Sequence, residues 1–146
     1  MQVLIVSGRS GAGKSSALGA LEDLNFYCID NLPVALLRET VSTLNKVAPD
    51  RNLAVSIDIR TLGHPSDVPI LVKYLTDSIE RVDIVFVDAS DETLARRFSE
   101  TRRLHPLSAG IDRTHLSKAL EQERISLEPI MNSATFKIDS SGLSIH

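Results

Sequence analysis

Val3-Leu4-Ile5-Val6-Ser7-Gly8-Arg9-Ser10-Gly11-Ala12-Gly13-Lys14-Ser15-Ser16-Ala17-Leu18 decides how this chain folds. A short apolar run leads into Gly8, Gly13, Lys14 and Ser15 at the spacing G-x-x-x-x-G-K-[ST] of a Walker A phosphate loop, and helix-forming residues follow. Each fixed position has a physical task. Glycines let backbone N–H groups converge on phosphate oxygens with no Cβ in the way, and the helix start adds the positive end of its dipole. Lys14 is placed to reach the β- and γ-phosphates and the Ser15 hydroxyl to ligate Mg²⁺. Strand before and helix after is the context that separates a working loop from a chance match. Gly8, Arg9, Ser10, Gly11, Ala12, Gly13, Lys14 and Ser15 are therefore expected to hold ATP or GTP, with the Arg9 side chain facing outward.

The pattern outside the loop agrees. Strand candidates at 3–7, 26–30, 53–58, 83–88 and 135–139 are mostly apolar on both faces, as parallel strands covered by helices are. Between them Leu37, Val41 and Leu44, then Val68, Leu71, Val72, Leu75 and Ile79, recur with helical period. Leu116, Ala119 and Leu120, continued by Leu127, Ile130 and Met131, predict another helix with a kink at Pro129. Asn31, Ser66 and Ser90 read as N-caps. Alternating strands and helices imply an α/β domain with a five-stranded parallel sheet and helices on both faces. Residues 1–146 read as one P-loop nucleotide-binding domain. The last residues, 143–146, begin a helix one turn long, which suggests a piece of a longer protein.

Ligands in such sheets bind beyond the carboxyl ends of the strands, where Asp30, Asp58 and Asp88 are expected. Asp88, after Ile84-Val85-Phe86-Val87, reads as the carboxylate that holds Mg²⁺ with Ser15. Strand-terminal aspartates also serve as turn formers, so structural roles stay open for all three. Arg96, Arg97, Arg102, Arg103 and His105 crowd into one short segment. Arg102 and Arg103 are candidates, with Lys14 and Asp88, for neutralising charge on a triphosphate from a closing lid. A solvated helix face and a local contact to RNA phosphates are the alternatives.

Composition limits the rest. The net charge of −3 gives no global case for nucleic acid or a membrane surface, and two Tyr, four Phe and no Trp leave little for a base-stacking surface. Weak RNA binding without sequence preference is the most this chain is expected to show. The single cysteine, Cys28, excludes an internal disulfide and reads as an inert thiol in an apolar run. His64, His115 and His146 have no metal-ligand spacing. No apolar stretch nears the roughly 20 residues of a membrane span, and the start has no basic leader, so a cytoplasmic location is expected.

Four segments together resemble the RapZ/YvcJ family of bacterial nucleotide-binding proteins. They are the loop G-R-S-G-A-G-K-S at 8–15, F-Y-C-I-D-N-L-P at 26–33, S-I-D-I-R at 56–60 and T-R-R-L-H-P-L at 101–107. The resemblance implies an ATP loop at 8–15 and a GTP-associated segment at Ser56, Ile57, Asp58 and Ile59. It also implies a likeness to small-molecule kinases of the shikimate and gluconate type, with strand order 2-3-1-4-5. Further implied is an RNase adapter that delivers a small regulatory RNA to an endoribonuclease and lowers amino-sugar synthesis in response to glucosamine-6-phosphate. RNA and sugar-phosphate recognition would belong mainly to a C-terminal domain beyond this chain. Nucleotide hydrolysis would be weak at most, and assembly into a homo-oligomer is left open. The competing reading is a metabolite kinase with Asp30 on the acceptor side.

Overall fold

A computed structural model describes residues 1–61, 63–64, 66–101, 105–107 and 113–143. Five strands, β1 (Gln2–Gly8), β2 (Tyr27–Ile29), β3 (Leu53–Ser56), β4 (Arg81–Asp88) and β5 (Phe136–Asp139), alternate with helices. The helices are α1 (Lys14–Asp23), α2 (Val34–Val47), α3 (Asp67–Ser78), α4 (Asp91–Thr101) and α5 (Arg113–Asn132). All strand pairs are parallel and the order is β2-β3-β1-β4-β5, as the kinase likeness implies.

The sheet separates two apolar layers because alternate side chains leave each strand on opposite faces. Val3, Ile5, Leu53, Val55, Ile84 and Phe86 pack with Leu37, Val41, Val68 and Leu75. Leu4, Val6, Ala54 and Val87 pack with Leu18, Leu94 and Phe98. Helix α5 serves both layers, sending Leu120 to the second and Leu127 and Ile130 to the first. It runs through Pro129, and the carbonyl of Pro129 accepts from the Ser133 hydroxyl at 3.0 Å.

Helix starts follow the sequence only in part. Ser90 caps α4, its Oγ accepting from the Thr93 N–H at 3.1 Å. Ser66 has helical dihedrals, so its hydroxyl cannot turn back on the helix and meets His64 Nδ1 at 2.5 Å. Asn31 is a turn residue at φ 55°, and α2 starts after Pro33, whose extended backbone delays it. Of the expected terminal turn, Leu143 donates its N–H to Ser140 O at 3.0 Å, and 144–146 lie outside the described residues.

The register aligns Val6 with both Ser56 and Val85, and Gly8 with Val87. The carboxyl ends of β3, β1 and β4 therefore share one edge, from which the loop between β1 and α1 rises.

Candidate functional site: the phosphate loop and its cleft

Gly8 is where the loop leaves the sheet. A Cβ there would lie 2.0 Å from Val87 O, and φ is 150°, so only glycine lets β1 stay beside β4 up to the turn. Gly13 precedes α1 at φ 118°, a left-handed conformation that aims the next N–H groups into the bend. The Lys14 ammonium folds over the loop and donates to Gly8 O at 2.9 Å and Arg9 O at 3.2 Å. Burial lowers its pKa, and the carboxylates of Glu123 and Asp58 work against that shift.

A cleft of about 730 Å³ opens over the loop. Ser10, Gly13, Lys14 and Ser15 line it from below; Asp30, Asn31, Asp58 and Arg60 line it after β2 and β3. Arg97, Phe98, Thr101 and Pro106 line it around the end of α4. Asp58 is buried and takes Arg60 as partner, Oδ1 accepting from the backbone N–H at 2.8 Å and Oδ2 from Nη2 at 2.6 Å. Burial pushes the Asp58 carboxyl up, but the Arg60 hydrogen bonds and charge outweigh it and hold the group below the usual carboxylate range.

Asp88 is not among the described residues lining this cleft. Its Oδ1 accepts from Arg9 Nε at 2.9 Å and from the Ala89 N–H at 2.8 Å. Arg9 itself, expected to face outward, is 4% exposed. Its other two nitrogens donate to Asp91 Oδ1 at 2.5 Å and Ala89 O at 2.8 Å. The physical reason is complementarity: the end of β4 and the start of α4 offer two carboxylates and a buried carbonyl, which a planar guanidinium satisfies together.

Of the segment Ser56, Ile57, Asp58 and Ile59, only Asp58 lines the cleft. Ser56 is fully buried, its hydroxyl donating to Asp30 Oδ1 while accepting from the Asn31 N–H at 2.8 Å. Ile57 is 2% exposed and donates its N–H to Val6 O, and Ile59 packs against the core. These three carry the architecture of the cleft.

The basic segment divides. Arg96 is exposed, while Arg97 donates to Gly11 O at 3.1 Å and Ser140 O at 2.6 Å, strapping the loop to the turn after β5. The Ser140 hydroxyl completes that strap on Ala12 O at 2.5 Å. His105 is buried. Arg102 and Arg103 lie outside the described residues. Cys28 has its thiol on Leu18 O at 3.4 Å and its pKa pushed up by burial, in keeping with an unreactive group.

Glu123 escaped the sequence reading. It is fully buried and accepts from Ser10 N–H at 2.9 Å, Ser10 Oγ at 2.7 Å and His105 Nε2 at 2.9 Å. Its signal was present: Leu116, Leu120, Glu123, Leu127 and Ile130 form one helical stripe, and an acid on an apolar stripe needs buried partners.

A glycine-built phosphate cradle at the carboxyl edge of a 2-3-1-4-5 parallel sheet defines a P-loop nucleotide-binding domain with a kinase-like fold. The chain belongs to the RapZ-like N-terminal domain family, which matches residues 1–146. It is 48% identical over 147 residues to a nucleotide-binding protein of Idiomarina loihiensis, covering all of this chain and 50% of that protein. Over 149 residues it is 48% identical to the RNase adapter protein RapZ of Yersinia pseudotuberculosis, again covering 50% of the relative. The chain thus spans about half the length of the curated relatives it matches. Among solved structures, shikimate kinase from Bacteroides thetaiotaomicron superposes with a TM-score of 0.63 at 19% identity, over 94% of this chain and 86% of that one. The YorR protein of Bacillus subtilis, in complex with phosphorylated GDP, gives 0.59 at 14% identity, over 96% and 85%. Among the described residues no helix is long and apolar enough to cross a membrane.

Proposed function

We propose that this domain is a regulatory nucleotide switch, holding Mg²⁺ with ATP or GTP on residues 8–15 and hydrolysing it slowly at most. The observation that carries the reading is the cradle itself: a loop in which a Cβ at Gly8 would strike Val87 O, with Lys14 and Ser15 lining the cleft above it. Hard oxygen donors suited to Mg²⁺ line the same cleft, the exposed Ser15 hydroxyl and the Asp58 carboxylate. Asp58 joins Asp88 as a candidate for the metal-facing role; each carboxylate also meets a guanidinium, Arg60 for Asp58 and Arg9 for Asp88. When bound, the ion neutralises charge on the phosphate oxygens. The residues contribute position: the loop amides and Lys14 fix the phosphates, and Arg60 holds Asp58 ionised.

Within a longer protein the switch would act in an RNase adapter, governing delivery of a small regulatory RNA to an endoribonuclease in the cytoplasm. That protein would thereby set amino-sugar synthesis in answer to glucosamine-6-phosphate. The family membership and the adapter protein RapZ among the relatives support this. A metabolite-kinase reading draws on one observation, the polar lining beyond the loop formed by Asp30, Asn31 and Arg60. Calorimetry with Mg-ATP and Mg-GTP on the wild type and Lys14→Ala tests the site. Losing a charge-assisted bond of about 1.5–3 kcal/mol predicts affinity weaker by about one to two decades. Unchanged affinity in a folded variant refutes it. Phosphate release that rises with a small polyol or amine acceptor, with transfer to that acceptor, would favour the kinase.

A further inference from the structure

Glu123 is a buried carboxylate whose charge also reaches the Lys14 ammonium. Its described partners are the Ser10 N–H, the Ser10 hydroxyl and His105. His105 Nδ1 accepts from the Leu107 N–H at 3.0 Å, which leaves Nε2 to donate to Glu123. Among the described residues no guanidinium or ammonium pairs with this carboxylate. Burial pushes its pKa up, but the His105 and Ser10 hydrogen bonds outweigh that and keep it ionised.

We infer that Glu123 is a specificity-determining residue of the phosphate site, biasing it toward nucleoside diphosphates over triphosphates. The inference rests on the proposed nucleotide reading of residues 8–15. Ser10, which Glu123 grips at two atoms, directly follows Arg9, whose carbonyl with that of Gly8 holds the Lys14 ammonium. Lys14 serves the β- and γ-phosphates, so Glu123, through its grip on Ser10 and its charge on Lys14, acts on the part of the loop where a triphosphate carries its additional charge. Glu123 acts on that charge twice. It ties up the Ser10 N–H, a loop donor otherwise available to a phosphate oxygen, and its buried charge repels the anion and offsets part of the Lys14 charge. Both effects grow with the charge of the terminal phosphate. Both carboxylate oxygens already accept from Ser10 or His105.

E123Q isolates the charge. The Gln carbonyl can accept from Ser10 N–H and His105, and its amide can donate to the Ser10 hydroxyl, which rotates to accept. Affinities of the protein for Mg-ADP and Mg-ATP are measured by calorimetry in the wild type, E123Q, E123A and E123D. A unit charge removed at this range is expected to shift the ratio of ATP to ADP affinity by about tenfold toward ATP. E123A should shift the ratio in the same direction even where its absolute affinities fall, and E123D, still anionic, should leave it near the wild-type value. A purely structural role predicts instead that both nucleotides weaken together. A ratio within about twofold of wild type in E123Q or E123A would overturn the inference. Absence of binding by the wild type to either nucleotide would instead remove the reading of the loop on which it rests.

Discussion

Replacing Arg9 by Ala asks how much the fold depends on a side chain that local sequence would place in water. The guanidinium, 4% exposed, is shared by Asp88, Asp91 and the carbonyl of Ala89. The Asp91 side chain is 64% exposed, so that bond contributes less than about 1 kcal/mol after screening. Asp88, at 34%, is also discounted for solvent, to about 1 kcal/mol. Ala89 O lies in a buried residue and loses its donor, a cost of about 1 kcal/mol. The buried methylene stem adds about 1 kcal/mol of lost apolar burial. Together these come to about 3 kcal/mol, a large share of the roughly 5–15 kcal/mol typical of a domain. At this chain length the loss corresponds to a fall in Tm of about 6–12 °C. With no Trp in the chain, urea unfolding is best followed by far-UV circular dichroism. Arg9→Lys should recover only part of the loss, because an ammonium cannot span three acceptors as a planar fork does. A midpoint for Arg9→Ala within about 0.5 kcal/mol of wild type, the size of an ordinary surface substitution, would return Arg9 to the solvent and refute the reasoning.

Gly8→Ala forces a Cβ to within 2.0 Å of the β4 backbone, where no flexible side chain can give way. It should cost at least about 3 kcal/mol from strain and overpacking, seen as lost solubility or a much lower melting temperature. Stability should also fall in acid through Glu123. Its pKa in the fold lies below the ordinary 4.5, so its contribution is complete above that value and is lost as pH drops through the lowered one. Urea midpoints from pH 7 to pH 3 should therefore fall more steeply for the wild type than for E123Q, and equal slopes would contradict the buried ionised carboxylate.

What could be read from the sequence alone was what local chemistry dictates. The loop spacing needs specific residues because glycine geometry, a reaching ammonium and a helix-start hydroxyl serve one compact ligand. Strand and helix succession is legible because periods of two and 3.6 residues record which faces are buried. The strand order followed from likeness to known kinases, since periodicity does not say which strands are neighbours. Ser90 worked as a cap because capping is settled within one turn.

The partners of charged groups were decided only by the tertiary structure. Arg9 meets Asp88 across 79 positions of chain and Ser10 meets Glu123 across 113. No local pattern encodes such pairings; they exist because β4 lies against β1 and α5 packs over both apolar layers. The same cause sets Asp58 apart from Asp88 in its surroundings. Both end apolar runs, look alike in sequence and meet a guanidinium in the fold, but of the two it is Asp58 that lines the cleft. Arg97, grouped by sequence with a basic lid, becomes a strap because the turn after β5 brings its carbonyls within reach. Charge is a long-range property, and the folded chain, by choosing which opposite charges meet out of water, decides which carboxylates and guanidinia remain for a ligand.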